Sequence, residues 1–120
     1  MTDTSSTPER ALAAIGSRAR LPNRRPHESF TFTHAGIRYT AGVGRFVDGR
    51  LGEVFLNASK TGTDADTIAK DAAIVASIAL QSGVTSETIR HALTRNRDGS
   101  ASGPLGAALD MLAADPSEAE

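Results

Sequence analysis

The chain has no cysteine and no tryptophan among its 120 residues, and its aromatics amount to one tyrosine and four phenylalanines. Without thiols it builds no disulfide, no cysteine-ligated zinc site and no thiol redox centre, because no other side chain substitutes for sulfur in that chemistry. The sequence contains no run of about 18 apolar residues to cross a bilayer and no apolar core of a signal peptide. A cytoplasmic protein is the expectation. Apolar residues make up only 39% of the chain, so a single modest core in one domain is expected. A chain of this length buries somewhat over ~60% of its unfolded surface and needs no covalent staples.

Charge of one sign is missing overall but not locally. The formal net charge is −1, yet residues 1–50 hold eight arginines against four acids, and residues 51–120 hold five cations against ten acids. The basic excess gathers at Arg10, Arg18, Arg20, Arg24 and Arg25. Such polarity suits self-association or a basic arm facing an anion.

Three segments are expected here. Residues 1–28 read as a flexible arm: a Ser/Thr-rich start, a short helix opened by Thr7-Pro8 and closed by Gly16, then an Arg- and Pro-punctuated linker. Residues 29–113 read as the folded domain and residues 114–120 as an acidic tail. Within the domain, Ser29 to Thr33 alternate strictly, with Phe30 and Phe32 on one face of a strand. His34-Ala35-Gly36 turns into a second strand within Ile37–Val47. Asp48-Gly49 turns again into a third, Arg50–Asn57. Asp-Gly between apolar runs predicts a type I′ turn with both central residues at positive φ. Gly52 inside the third strand predicts a bulge or a close backbone approach.

Helices follow the strands. From about Ala65 to Gln81 nearly every turn carries Ile68, Ala72, Ile74, Val75, Ile78, Ala79 or Leu80, so wide a stripe that the helix is expected to be buried on most sides, between the sheet and other helices. Ala69, Ala73, Ala76 and Ser77 allow close approach, and Gly83 suits the C′ position. Thr85 or Ser86 caps a second helix, Glu87 to about Thr94, with Ile89, Ala92 and Leu93 inward. Pro104 opens a third, with Leu105, Leu109 and Leu112 inward. The fold class is α+β: a small antiparallel β-meander of about three strands packed against two or three helices.

Several of these residues also carry a family likeness. Gly49-Arg50-Leu51-Gly52-Glu53 resembles a segment near the C-terminus of the vitamin B12-dependent (class II) ribonucleoside-diphosphate reductases, in the TSCPD domain family. Ala73-Ile74, Ser77, Leu80-Gln81, Gly83-Val84 and Glu87 fall in the order and spacing of the same family's pattern, and Leu21 to Arg25 resembles its basic lead-in. The likeness spans roughly residues 21–112. It implies an association with deoxyribonucleotide supply. Ribonucleotide reduction runs on a thiyl radical and a cysteine pair, so the chain is expected to be a stand-alone, non-catalytic accessory module with no cofactor of its own. Such a module would dock on a ribonucleotide reductase chain, or on itself as a dimer, through the sheet edge and the Gly52 region. The cysteine-rich, zinc-binding tails of longer relatives have no counterpart here, and no metal is expected.

The alternative is a nucleic-acid- or nucleotide-binding protein using Arg24, Arg25, Arg50 and Lys60. Lys60-Thr61-Gly62-Thr63 precedes the long helix and could cradle a phosphate with Gly62 and its neighbours. Asp64 and Asp66 at the same helix start favour ordinary capping instead and repel an anion. No P-loop spacing is present. Arg50 and Glu53 point to opposite strand faces unless Gly52 bulges. They could grip an anion or a partner protein, or form an ion pair that fixes the bulge. His27, His34 and His91 lack metal-ligand spacing. The basic linker has no interleaved aromatics for base stacking, and Phe30, Phe32, Tyr39 and Phe46 read as the core of the meander before they read as a stacking platform.

Overall fold

The computed structural model describes Ala19, Leu21 and residues 27–114. The expected N-terminal helix, most of the basic linker, including Arg24 and Arg25, and the acidic tail lie outside the described residues. Three strands, β1 (His27–His34), β2 (Ile37–Arg45) and β3 (Leu51–Ala58), form an antiparallel sheet in the order β1-β2-β3. They are followed by α1 (Asp64–Gln81), α2 (Ser86–Ala92) and α3 (Pro104–Ala114). The α+β meander expected from the sequence is the fold.

The turn chemistry is exchanged between the two hairpins. Ala35 (φ 52°) and Gly36 (φ 79°) are the residues that both adopt left-handed backbone, making the two-residue loop of the first hairpin the primed turn. At the second hairpin Gly49 alone is left-handed (φ 93°). There the Gly49 N–H donates to the Phe46 carbonyl at 2.9 Å, and the Phe46 N–H donates to the Arg50 carbonyl at 2.8 Å. That is a three-residue loop ending in a glycine bulge rather than the type I′ turn expected of Asp-Gly. Asp48 instead accepts from the Arg50 N–H at 3.0 Å, which holds it on the ordinary side of φ.

Gly52 fulfils both reasons for its presence. Pairing runs Gly44↔Glu53 and then Arg45↔Leu51, so Gly52 is the extra residue of a bulge. A Cβ there would lie 2.5 Å from Leu21 Cδ2 and 3.1 Å from the Phe46 ring.

One sheet face forms the core. Phe32, Tyr39, Ala41, Val43, Val54, Leu56 and Ala58 pack against Ala69, Ala73, Ala76 and Leu80 of α1 and Leu105, Ala108, Leu109 and Leu112 of α3. The alanines bring the α1 backbone close to the strands, as expected. Phe32, Tyr39 and Phe46 are buried and Phe30 half-buried, so these rings are core, not an exposed platform.

The expectation that α1 is buried on most sides fails. Ile68, Ile74, Val75 and Ile78 are 64%, 56%, 67% and 42% exposed. A three-stranded sheet covers one face of a helix, and here that face is the alanine ridge. The remaining width of the apolar stripe is a second face open to solvent.

The caps follow the sequence. Thr63 precedes α1 and accepts the Asp66 N–H at 3.2 Å. Past its other end Gly83 (φ 104°) donates to Leu80 and Val84 to Ala79, a Schellman closure. Thr85 caps α2 through the Thr88 N–H. This helix stops at Ala92 and buries none of its residues: Ala92, expected inward, is exposed, while Ile89 and Leu93 are half-buried.

Candidate functional site

β3 is an edge strand, and the outward-facing backbone of an edge strand invites pairing with another chain. Here α1 occupies that edge with polar side chains. Asp66 accepts the Ala58 N–H at 2.9 Å. The Ser77 hydroxyl accepts from the Val54 N–H at 2.9 Å and donates to the Val54 carbonyl at 3.0 Å. The Gln81 amide donates to the Gly52 carbonyl at 2.9 Å. Asp66, Lys70, Ser77 and Gln81 lie at positions i, i+4, i+11 and i+15, one ridge of the helix. Sequence reasoning missed this seam, although a polar ridge threading an apolar helix was the available signal.

Asp66 is 2% exposed. Its carboxyl is held below the usual carboxylate range, first by the Ala58 N–H, then by Lys70 with its Nζ at 3.1 Å, and by the Gly62 N–H, against the opposing effect of burial. The Lys60–Thr63 loop is therefore already closed on itself. The Gly62 N–H donates to Asp66 at 3.2 Å, and the Thr63 hydroxyl donates to the Lys60 carbonyl at 2.8 Å. The Gly62 amide, the one a phosphate cradle was expected to use, is engaged by Asp66, and the capping residue is Thr63 rather than either aspartate. Lys60 is exposed and has no ion-pair partner among the described residues.

Arg50 and Glu53 are not brought together. Arg50 Nε lies 2.7 Å from Asp48 Oδ2, and its guanidinium sits 4.8 Å from the Phe46 ring centroid. The Arg50 amide and side chain lower the Asp48 pKa. Glu53 is buried and folds over Gly44, where any Cβ would collide with its carboxylate and Cγ. Gly52 lies beneath Leu21 and Phe46 with its carbonyl taken by Gln81, so the Gly52 region expected to dock a partner is itself covered.

A charged cluster unites the helical end of the molecule. Asp110 on α3 receives Arg95 through both oxygens and Arg90 at 2.9 Å, while Arg95 also donates to the Arg90 carbonyl. Arg95, with Arg90 adding, lowers the Asp110 pKa to about 2. The histidines serve locally: His34 meets the Ser102 carbonyl at 3.0 Å, His91 meets Glu87 at 3.0 Å, and His27 lies 6.4 Å from the Phe55 ring. Among the described residues no group of three or more His, Asp or Glu is placed to hold a metal ion, and no helix is long and apolar enough to cross a membrane.

What remains open is apolar. Ile68, Val75 and Ile78 line the solvent face of α1. Beside them Ile74 overhangs a groove of about 460 Å³ between α1 and β3, lined also by Phe55, Leu56, Lys70 and Ser77. Phe55 is 47% exposed. No side chain in this groove is arranged as a nucleophile with a base; its Ser77 hydroxyl is bound to strand backbone at both its donor and acceptor sides.

No solved structure matches the chain. The vitamin B12-dependent ribonucleotide reductase of Agrobacterium fabrum (strain C58 / ATCC 33970) is 36% identical over 77 residues, which is 64% of this chain and 6% of that protein. This chain thus corresponds to a small part of that relative's length. The model of the TSCPD domain matches residues 15–114, from before the sheet to the end of α3. The chain belongs to the TSCPD domain family.

Proposed function

We propose that this chain is a non-catalytic TSCPD module that acts by binding a ribonucleotide reductase polypeptide, in the service of deoxyribonucleotide synthesis. The observation that carries the reading is the 36% identity to a domain-sized part of a vitamin B12-dependent ribonucleotide reductase. The open apolar face of α1 supports it: four large aliphatic side chains exposed on one helix are unusual on a surface with no partner. The cysteine-free composition supports it as well, since reduction of a ribonucleotide requires thiols that this chain does not bring.

The test is a titration of the purified chain against a cysteine-bearing ribonucleotide reductase from the same cell, read by calorimetry and by nucleotide turnover. Expected are saturable binding, a change in reductase rate, and loss of binding in a Val75→Asp/Ile78→Asp variant that keeps its fold. Absence of binding together with unaltered turnover at saturating excess overturns the reading, as does reduction of a ribonucleotide by the isolated chain. The nucleotide- or nucleic-acid-binding alternative predicts affinity for oligonucleotide or nucleoside triphosphate that falls steeply with salt. The engaged Gly62 amide of the Lys60–Thr63 loop and the Arg50–Asp48 pair leave it with less support.

A further inference from the structure

The two edges of the sheet are treated oppositely. On β3 the N–H or C=O groups of Gly52, Val54 and Ala58 point away from β2, because Asp66, Ser77 and Gln81 reach them from outside. In an antiparallel ladder alternate residues bond to alternate sides. Hence Tyr39, Ala41 and Val43 of β2, opposite Ala58, Leu56 and Val54, turn toward β1, and there they meet Phe32, Phe30 and Glu28. It follows that Ser29, Thr31 and Thr33 direct their backbone N–H and C=O groups outward. All three residues are exposed, and among the described residues no hydrogen bond to these groups exists outside the strand pair. Among the described residues the middle of this edge is unguarded: residues 29–33 (Ser-Phe-Thr-Phe-Thr) contain no charge and no proline, the one acid of β1, Glu28, lies near its start and is paired with Arg45, and β1 pairs with β2 without a bulge.

Beside this edge runs a groove of about 310 Å³ between β1 and α3, lined by Glu28, Ser29, Phe30, Thr31, Met111 and Leu112. Met111 is 45% exposed there. We propose that β1 pairs antiparallel with β1 of a second copy of this chain, about a two-fold axis through Thr31, joining two sheets into one of six strands.

The occupant follows from self-complementarity. With Thr31 opposite its own symmetry mate, Ser29 stands opposite the partner's Thr33, and every residue with outward groups meets another such residue, giving roughly six ladder hydrogen bonds. On the inner face Phe30 then neighbours the partner's Phe32, and Glu28 meets the partner's His34 rather than a second carboxylate. A two-fold axis normal to the sheet sets the two α3 helices on the same face of the joined sheet, one on either side of the seam, each with Met111 in the groove beside it. The interface is isologous and closed, leaving the β3 edges, already blocked by α1, as the ends of the assembly.

This inference stands independently of the reductase reading, because its test uses this chain alone. Sedimentation equilibrium of the full chain should give a mass rising with concentration from 12.5 kDa toward twice that value. Thr31→Pro removes an outward N–H and places the ring in the seam, a substitution that edge strands tolerate. It should hold the mass at 12.5 kDa with an unchanged circular dichroism spectrum. Should that variant fail to fold, the absence of cysteine permits a second measurement. Thr31→Cys should form a disulfide-linked dimer on mild oxidation, whereas Asn57→Cys, on the same sheet face of β3, should not. A monomer at every concentration, a folded Thr31→Pro variant that associates as before, or equal crosslinking through Asn57→Cys would each overturn the proposal.

Discussion

Single atoms decide how the β3 edge is closed. Ser77 contributes one hydroxyl, yet that oxygen accounts for both outward backbone groups of Val54, a residue buried to 1% exposure. Removing it strands a buried donor and acceptor, and an orphaned buried polar group costs about 1–3 kcal/mol. Ser77→Ala is therefore expected to lower unfolding free energy by about that amount in urea titration, and to speed hydrogen exchange at the Val54 amide specifically. An unchanged Val54 exchange rate would show that water replaces the hydroxyl without loss. Gly52 works by omission. An added methyl group there meets Leu21 and the Phe46 ring together, and overpacking of this kind costs typically about 1–3 kcal/mol. Gly52→Ala should shift the urea midpoint down without changing the slope, since the exposed area on unfolding is the same. A neutral Gly52→Ala would mean that Leu21 swings aside freely.

At the scale of elements, α1 carries two apolar faces with different duties. The alanine ridge holds the sheet, and Leu56 opposite it, 1% exposed, is the kind of residue whose truncation to alanine costs about 2–5 kcal/mol. The solvent face should behave otherwise: replacing Ile68 and Val75 by serine is expected to change stability by no more than about 0.5 kcal/mol each, since surface positions seldom exceed that. The contrast, measured by thermal melts of Leu56→Ala beside Ile68→Ser and Val75→Ser, separates the fold-bearing face from the solvent-exposed apolar face. The sequence period alone could not make this distinction. It reports that a helix is apolar nearly all round, and whether a second layer exists to cover the excess depends on how many strands and helices remain. The hairpins show the same limit. Asp48-Gly49 carries the stronger signal, but Phe46 to Arg50 closes with three loop residues, so the primed turn falls at Ala35-Gly36, where His34 and Ile37 pair directly. Gly52, Thr85 and Gly83 were legible because their reasons are local. The Asp66–Ser77–Gln81 seam left only a polar ridge on an apolar helix as its signal, and what that ridge bonds was not legible, because its acceptors and donors sit on another element. Asp110 likewise ties α3 to α2 and the following loop through Arg90 and Arg95, 20 and 15 residues away. Its folded pKa of about 2 lies below the ordinary 3.8. The stabilisation is therefore fully present above pH about 4 and is lost as pH falls from there toward about 2. Asp110→Asn should flatten that acid limb in a series of melts at stepped pH, and an unchanged limb would place the acid sensitivity elsewhere.

Across the whole molecule, stability is expected to be graded from the sheet outward. β2 is paired on both sides, and α1 packs through Ala69, Ala73 and Ala76 on its neighbour β3. By contrast α2 buries no residue, and its attachments are the half-buried Ile89 and Leu93 and the Arg90–Asp110 bond, so it can open without disturbing the core. Local opening of this kind draws on the few contacts an element makes rather than on the global free energy. Native-state hydrogen exchange should accordingly find the slowest amides in β2 and along the Ala69–Ala76 ridge, with the protection of those amides matching the global unfolding free energy. The amides of residues 89–92 should exchange faster through an opening insensitive to low denaturant, and faster still in Asp110→Asn. The exposed face of α1 makes the comparison sharper, since Ile78 and Val75 are solvent-facing yet belong to a helix locked by its other side. If their amides exchanged as fast as those of α2, α1 would be held by its caps and not by the alanine ridge, and the division of this helix into a packing face and an open apolar face would fall with it.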